Sequence, residues 1–139
     1  MNEKIITEED KQAAIEKIKQ IPYPSFIGIE LVDLKFGEAT LKLKMRDELR
    51  QPYGFLHGGA TASLIDTTTA FACISCLNKG EQTMTIDLTV HYLRPHKDGE
   101  IFCNAKVVRN GKRIQTVSAE VVNEEGKLLA TAISTYTKI

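Results

Sequence analysis

Along residues 38–46, EATLKLKMR, apolar and polar side chains alternate. Ala39, Leu41, Leu43 and Met45 fall on one face, and Thr40, Lys42 and Lys44 on the other, the period of a strand with one wet face. The same period returns from Thr83, where Met84, Ile86, Leu88, Val90 and Tyr92 alternate with Thr85, Asp87, Thr89 and His91. It predicts a second strand with the apolar set on one face. Three more strands are predicted over about 101–109, 113–122 and 128–137, separated by Asn110 and Gly111 and by Glu124, Glu125 and Gly126, with Asp98 and Gly99 as the preceding turn. Between the first two strands, after Pro52 and Gly54, run the 19 residues from Gly59 to Leu77, apolar or hydroxyl-bearing on every side. That run is too long for a strand and predicts a buried helix ended by Asn78, Lys79 and Gly80. Near the start, Thr7, Glu8, Glu9 and Asp10 read as a helix entry, and Ala14, Ile18 and Ile21 recur at helical spacing until Pro22. The expected class is α+β: a short amphipathic helix, one strand, the long helix, then four strands joined mainly by tight turns. Consecutive hairpins make the sheet antiparallel, and the long apolar helix has to cover its apolar face.

Composition narrows the partners. The 139 residues fit one domain, 1–139, with 1–22 as its helical N-terminal segment; a chain of this size buries about two-thirds of the surface its unfolded form exposes. The 18 basic residues balance 18 acidic ones, which argues against nucleic acid. The N-terminal residues contain no apolar run, and residues 59–77 carry six Ser or Thr hydroxyls besides Asp66. No secretory leader and no membrane partner are therefore expected, and the location is read as cytoplasmic. Three cysteines are an odd number in a reducing compartment, so no disulfide framework is expected; Cys73 and Cys76, inside the long helix, read as core packing. His91 and His96 stand at odd separation with Pro95 between them, so their side chains diverge and no metal site or cofactor is expected.

Asp66 is the one carboxylate on the long helix. An unpaired buried carboxylate costs several kcal/mol, so Asp66 has to be paired, partly hydrated or functional. Its bland role would be a polar network with Thr67 or Thr69. At the start of the same helix, Gly58 and Gly59 offer free amides and the positive dipole end, and without Cβ atoms they allow close approach to the backbone. Acyl transfer needs a base or nucleophile near the carbonyl and a donor for the developing oxyanion, and a carboxylate and free helix-start amides are groups of those two kinds. Asp66 lies seven residues beyond Gly59, roughly 10 Å along the axis, so one carbonyl can hardly touch both groups of one chain. Lys106, Arg109, Lys112 and Arg113 cluster about a hairpin and Arg94 ends a strand; these are either a solvated basic surface or contacts to phosphates.

The order of elements, with Gln51-x-x-Gly54-x-x-His57-Gly58-Gly59-x-x-x-x-Leu64-x-Asp66, resembles the hot-dog fold acyl-CoA thioesterases of the phenylacetate-pathway and hydroxybenzoyl-CoA type. The likeness covers about residues 23–137 and includes the strand TIDLTVHYLRP. It implies an antiparallel sheet wrapped around one long buried helix, and a homodimer with active sites shared across the interface, assembling further to a tetramer. It further implies that Asp66 is the catalytic carboxylate, as general base or nucleophile, and that the Gly58 amide polarises the thioester carbonyl. His57 and Gln51 then place the thioester and its leaving sulfur, and Thr85 helps to hold the attacking water. Gly59, Arg94, Arg109, Lys112 and Arg113 are the candidate substrate contacts, the basic ones for coenzyme A phosphates. At the Gln51 position the phenylacetate type usually has Asn and the hydroxybenzoyl branch Gln. The expected reaction is hydrolysis of an aromatic or medium-chain acyl-CoA; a non-catalytic acyl-CoA binding or sensing protein is the alternative. His57 has a second possible role as a cap of the helix backbone.

Overall fold

Thr7 begins the first helix as its sequence context requires. In the computed structural model, which describes residues 4–139, α1 spans Glu8–Ile18 and opens with a capping box: Thr7 accepts from the Asp10 amide at 3.0 Å and Asp10 accepts from the Thr7 amide at 2.9 Å. The helical region does not stop at Pro22. A second short helix, α2, runs Pro22–Ile27 with Pro at its first turn, where the missing N–H costs nothing, and ends on Gly28 in the left-handed conformation. Arg46 caps its carboxyl end, donating to the carbonyls of Phe26 and Ile27 at 2.8 and 2.5 Å.

Six strands follow, one more than the pattern predicts: β1 Ile29–Lys35, β2 Glu38–Lys44, β3 Thr83–Tyr92, β4 Glu100–Asn110, β5 Ile114–Asn123 and β6 Leu128–Lys138. The additional strand is β1. They form one antiparallel sheet in the order β1-β2-β4-β5-β6-β3. The β4–β5 and β5–β6 hairpins stand where the turn residues place them. The expected hairpin between β3 and β4 does not form: β3 pairs with β6 at the sheet edge, and β5 and β6 lie between it and β4. The connecting residues 93–99 reach up to about 23 Å, enough to cross three strand spacings of about 4.8 Å, and both sides of β4 are taken by β2 and β5.

The long helix, α3, runs Gly58–Ile74 and packs against all six strands. Leu64, Ile65, Ala72 and Cys73 are fully buried, meeting Leu41, Cys103, Val117 and Val121 from the sheet. Its buried hydroxyls bond back to their own helix: Thr68 donates to the Leu64 carbonyl at 2.6 Å and Thr69 to that of Ile65 at 2.9 Å, which lets hydroxyl residues sit in a core without orphaned polar atoms. Burial is incomplete, however. The side carrying Ser63, Asp66, Thr67 and Ala70 is only half-buried and Ile74 is exposed, so the helix expected to be covered on every side keeps one open stripe.

The edge strand β3 also departs from simple alternation. Thr85 pairs with Tyr136 but Asp87 pairs with Thr135, so Ile86 is an extra residue in a β-bulge. Beyond it Leu88, Val90 and Tyr92 pair with Ser134, Ala132 and Ala130. Thr85 therefore shares the helix-facing side with Leu88, Val90 and Tyr92, while Met84 and Ile86 are left more than half exposed.

One rung of the sheet, Gln115 on β5, Tyr136 on β6 and Thr85 on β3, meets α3. Gln115 is fully buried; its amide donates to the Cys73 carbonyl at 2.9 Å and its carbonyl accepts from Thr83 at 2.8 Å, tying the end of α3 to β3. Gln115→Ala removes both of these bonds and opens a cavity, and lowers unfolding stability by about 3 kcal/mol in denaturant titration.

Candidate active site

The N-terminus of α3 is assembled from two loops locked together by one guanidinium. Arg50 donates from Nη1 to the carbonyls of Gly54 and Lys97, both at 2.7 Å, from Nε to Asp47 at 2.9 Å and from Nη2 to Asp98 at 3.0 Å. The Leu56 amide donates to the His96 carbonyl and that of His57 to the Leu49 carbonyl, each at 2.8 Å. Gln51 folds its side-chain carbonyl over this turn, accepting from the amides of Tyr53 at 2.5 Å and Phe55 at 3.2 Å. Its NH2 group makes no hydrogen bond within the described residues.

His57 is the N-cap of α3. Its Nδ1 accepts from the Gly59 amide at 2.8 Å, so the neutral ring keeps its proton on Nε2. This is the capping role, and it leaves Nε2–H free to point elsewhere. The second glycine follows from the first interaction: a Cβ on Gly59 would stand 2.9 Å from Nδ1 and 3.2 Å from Cε1 of His57. The Gly58 amide, at the first helical position, donates to no group among the described residues, as the geometry of helix starts requires. The Tyr92 ring packs over Gly58, and its hydroxyl donates to the Gly58 carbonyl at 2.7 Å. Gln51, Phe55, Gly58, Tyr92, Arg94 and His96 line a cavity of about 300 Å³ here. Arg94 is exposed and donates one bond, to the Leu128 carbonyl at 2.8 Å.

Asp66 stands eight residues on, about 12 Å along the helix axis, and is not part of that cavity's wall. It does not pair with Thr67 or Thr69 through its carboxylate. Oδ1 accepts from Thr85 Oγ1 at 2.9 Å and from the Tyr136 hydroxyl at 3.2 Å; the same phenol donates to the Asp66 main-chain carbonyl at 2.8 Å and lies 2.8 Å from Thr69 Oγ1. No lysine, arginine or histidine pairs with it among the described residues. Burial, with the Asp66 charge beside it, pushes the Tyr136 hydroxyl far above its usual range, so it stays protonated and remains a donor. Sequence reasoning missed Tyr92 and Tyr136. A buried tyrosine needs a partner for its hydroxyl, and Asp66 needs a donor, so each could have pointed to the other.

The remaining candidates lie apart. Arg109, Lys112 and Arg113 are exposed at the β4–β5 hairpin, beside the end of α3 opposite to Gly58, where Gln115 bonds Cys73. Cys73 and Cys103 are buried thiols pushed up to about 12 by desolvation, and Cys76 is raised for the same reason, consistent with packing and not redox chemistry.

The family model of the thioesterase superfamily matches residues 53–130. The acyl-coenzyme A thioesterase 13 of Homo sapiens is 34% identical over 73% of this chain and 74% of its own length. The E. coli PaaI protein of the phenylacetic acid degradation operon superposes with a TM-score of 0.84 at 26% identity, over 92% of this chain and 91% of that one. A Haemophilus influenzae thioesterase superposes with a TM-score of 0.87 at 26% identity, over 99% of this chain and 93% of that one.

Helix propensity alone favours Gly59→Ala by about 0.8 kcal/mol. Because the new Cβ displaces the His57 cap, itself worth about 1 kcal/mol, the substitution brings no gain in thermal stability in the native sequence. It does stabilise a His57→Ala background, where nothing is left to displace, and comparing the two melting shifts checks the contact.

Proposed function

The chain belongs to the thioesterase superfamily and is a thioester hydrolase, and on that premise we propose that it cleaves an acyl-CoA with an aromatic or medium-chain acyl group, using Asp66. The observation that carries this reading is the Asp66 carboxylate: it stands on the central helix, faces two neutral hydroxyls and has no cationic partner among the described residues. A half-buried carboxylate held by two neutral donors on the open stripe of α3 remains accessible to a reactant.

The Gly58 N–H is the oxyanion donor, strengthened by the helix dipole. Asp66 acts either as general base or as nucleophile. As base it takes a proton from water while the water oxygen bonds to the carbonyl carbon and the carbonyl electron pair moves onto oxygen. The tetrahedral species then collapses, the C–S bond breaks, and the leaving thiolate takes up the proton. As nucleophile its carboxylate bonds to the carbonyl carbon, expels the thiolate and leaves a mixed anhydride for water to cleave. The Gln51 NH2 and His57 Nε2–H are donors available to place the thioester, and Thr85, whose own proton goes to Asp66, keeps lone pairs that can accept from water. Arg94 at the cavity serves the coenzyme A phosphates, whereas Arg109, Lys112 and Arg113, at the opposite end of α3, do not reach that cavity within one chain.

We infer further that Gly58 and Asp66 meet one thioester across a homodimer, which can pair again as a tetramer. About 12 Å separates them along one helix, the cavity at Gly58 lacks Asp66, and exposed Ile74 at the end of α3 shares a surface hollow with exposed Met84 of the edge strand β3, apolar surface that a second copy would bury.

Asp66→Asn, nearly isosteric, keeps the fold and acyl-CoA binding and lowers kcat at least ~10²-fold in a free-thiol assay. Near wild-type turnover removes Asp66 from the chemistry.

Gly58→Val and Asp66→Asn are each inactive alone, yet exchanging their subunits restores up to about a quarter of wild-type activity. About half the dimers are then mixed, each with one site carrying both defects and one carrying neither, as two-fold pairing requires. Verified exchange without recovery refutes the shared site.

A further inference from the structure

Both donors to the Asp66 carboxylate fall on a single oxygen. Thr85 reaches Oδ1 from β3 at 2.9 Å and Tyr136 reaches Oδ1 from β6 at 3.2 Å, while Oδ2 accepts nothing from the described residues. The Tyr136 hydroxyl also stands 2.8 Å from the Asp66 main-chain carbonyl, so its one proton is shared between two oxygens of the same residue, the backbone carbonyl and Oδ1. Tyr136 is itself immobilised: its ring is 1% exposed, and Thr69 Oγ1 stands 2.8 Å from its hydroxyl.

We propose that Tyr136 is a positioning residue for the hydrolysis: together with Thr85 it holds Asp66 Oδ1 and leaves Oδ2 as the oxygen that meets water or the thioester carbon. The proposal rests on the catalytic reading of Asp66 and deepens it by naming the reacting oxygen and the residue that selects it. A carboxylate on a helix rotates about χ1 and χ2, and either oxygen could then face the reactant. Two donors on one oxygen remove that freedom, so the free lone pairs point one way when the substrate arrives.

The other titratable groups do not take over this task. Cys73 lies farther along α3 as a buried thiol, and Asp87 and His91 of β3 are exposed beyond the bulge on the outward side. Removing the phenol oxygen orphans little, because Thr69 Oγ1 keeps the Ile65 carbonyl at 2.9 Å and the Asp66 carbonyl still belongs to the helix.

The test is Tyr136→Phe, which retains the buried ring, assayed with an acyl-CoA across pH alongside Asp66→Asn and the double variant. The expected result is a folded protein with KM within about twofold of wild type and kcat about tenfold lower. The acid limb of its rate profile moves up relative to wild type, since a carboxylate that loses a donor to its charged form binds its proton more tightly. In the Asp66→Asn background the same change has no further effect, because there is no carboxylate to position. A loss of kcat with the acid limb unmoved marks Tyr136 as a packing residue and overturns the proposal, as does full activity of Tyr136→Phe beside an inactive Asp66→Asn. Full activity of Asp66→Asn instead overturns the catalytic reading itself, a separate outcome.

Discussion

Helix α3 touches all six strands, so the hydroxyls and the carboxylate it carries must find partners within the fold or remain beside water. Ser63, Thr67, Thr68 and Thr69 solve this inside the helix, each donating to the carbonyl four residues earlier. Asp66 cannot, because a carboxylate accepts and a helix interior has no spare donors. Its partners come from the sheet, and the alignment of helix and sheet therefore decides its geometry. Gln115 fixes that alignment at one end through Cys73 and Thr83, and Arg50 fixes the loops at the other.

The start and the middle of the helix do different work. At the start, His57 takes up the Gly59 amide and leaves that of Gly58 unused, beside a cavity closed by Tyr92. The second glycine is needed because a Cβ there would strike the capping imidazole, whereas a Cβ on Gly58 would only touch the Tyr92 ring at 3.4 Å. Two turns on, the carboxylate emerges along the stripe that the sheet does not cover. On the proposed reading a single chain carries the two halves of an acyl-transfer site without joining them, and the proposed pairing of two chains is the economical way to bring them to one carbonyl.

Two bulges account for most of what the alternating pattern failed to convey. In β1 the register slips at Val32, between Leu31 paired with Leu41 and Asp33 paired with Thr40. Ile29 and Leu31 face the core, but the phase is lost before Leu34, and no clean period survives to announce a strand. In β3 the extra Ile86 reverses the phase. Read straight, Thr85 belongs with Asp87 and His91 on the wet face; folded, it turns toward Asp66. A bulge is set by the pairing of two strands distant in sequence, so neither could be read from its own residues.

The sequence by itself determined the elements whose signals are local: the Thr7 capping box, the alternation of 38–46, the hairpin turns at Gly111 and Gly126, and a long helix opened by His57, Gly58 and Gly59. It also determined that Asp66 needed an explanation, because burial of a carboxylate carries its cost wherever the chain folds. Tertiary structure alone decided that β3 lies beside β6 and not β4, that α3 keeps an open stripe, and that Tyr136 and Thr85 meet Asp66 on one oxygen. Tyr136 lies seventy residues from Asp66. Such contacts follow from the packing of the whole helix against the whole sheet, and no short stretch of sequence holds the information that sets them.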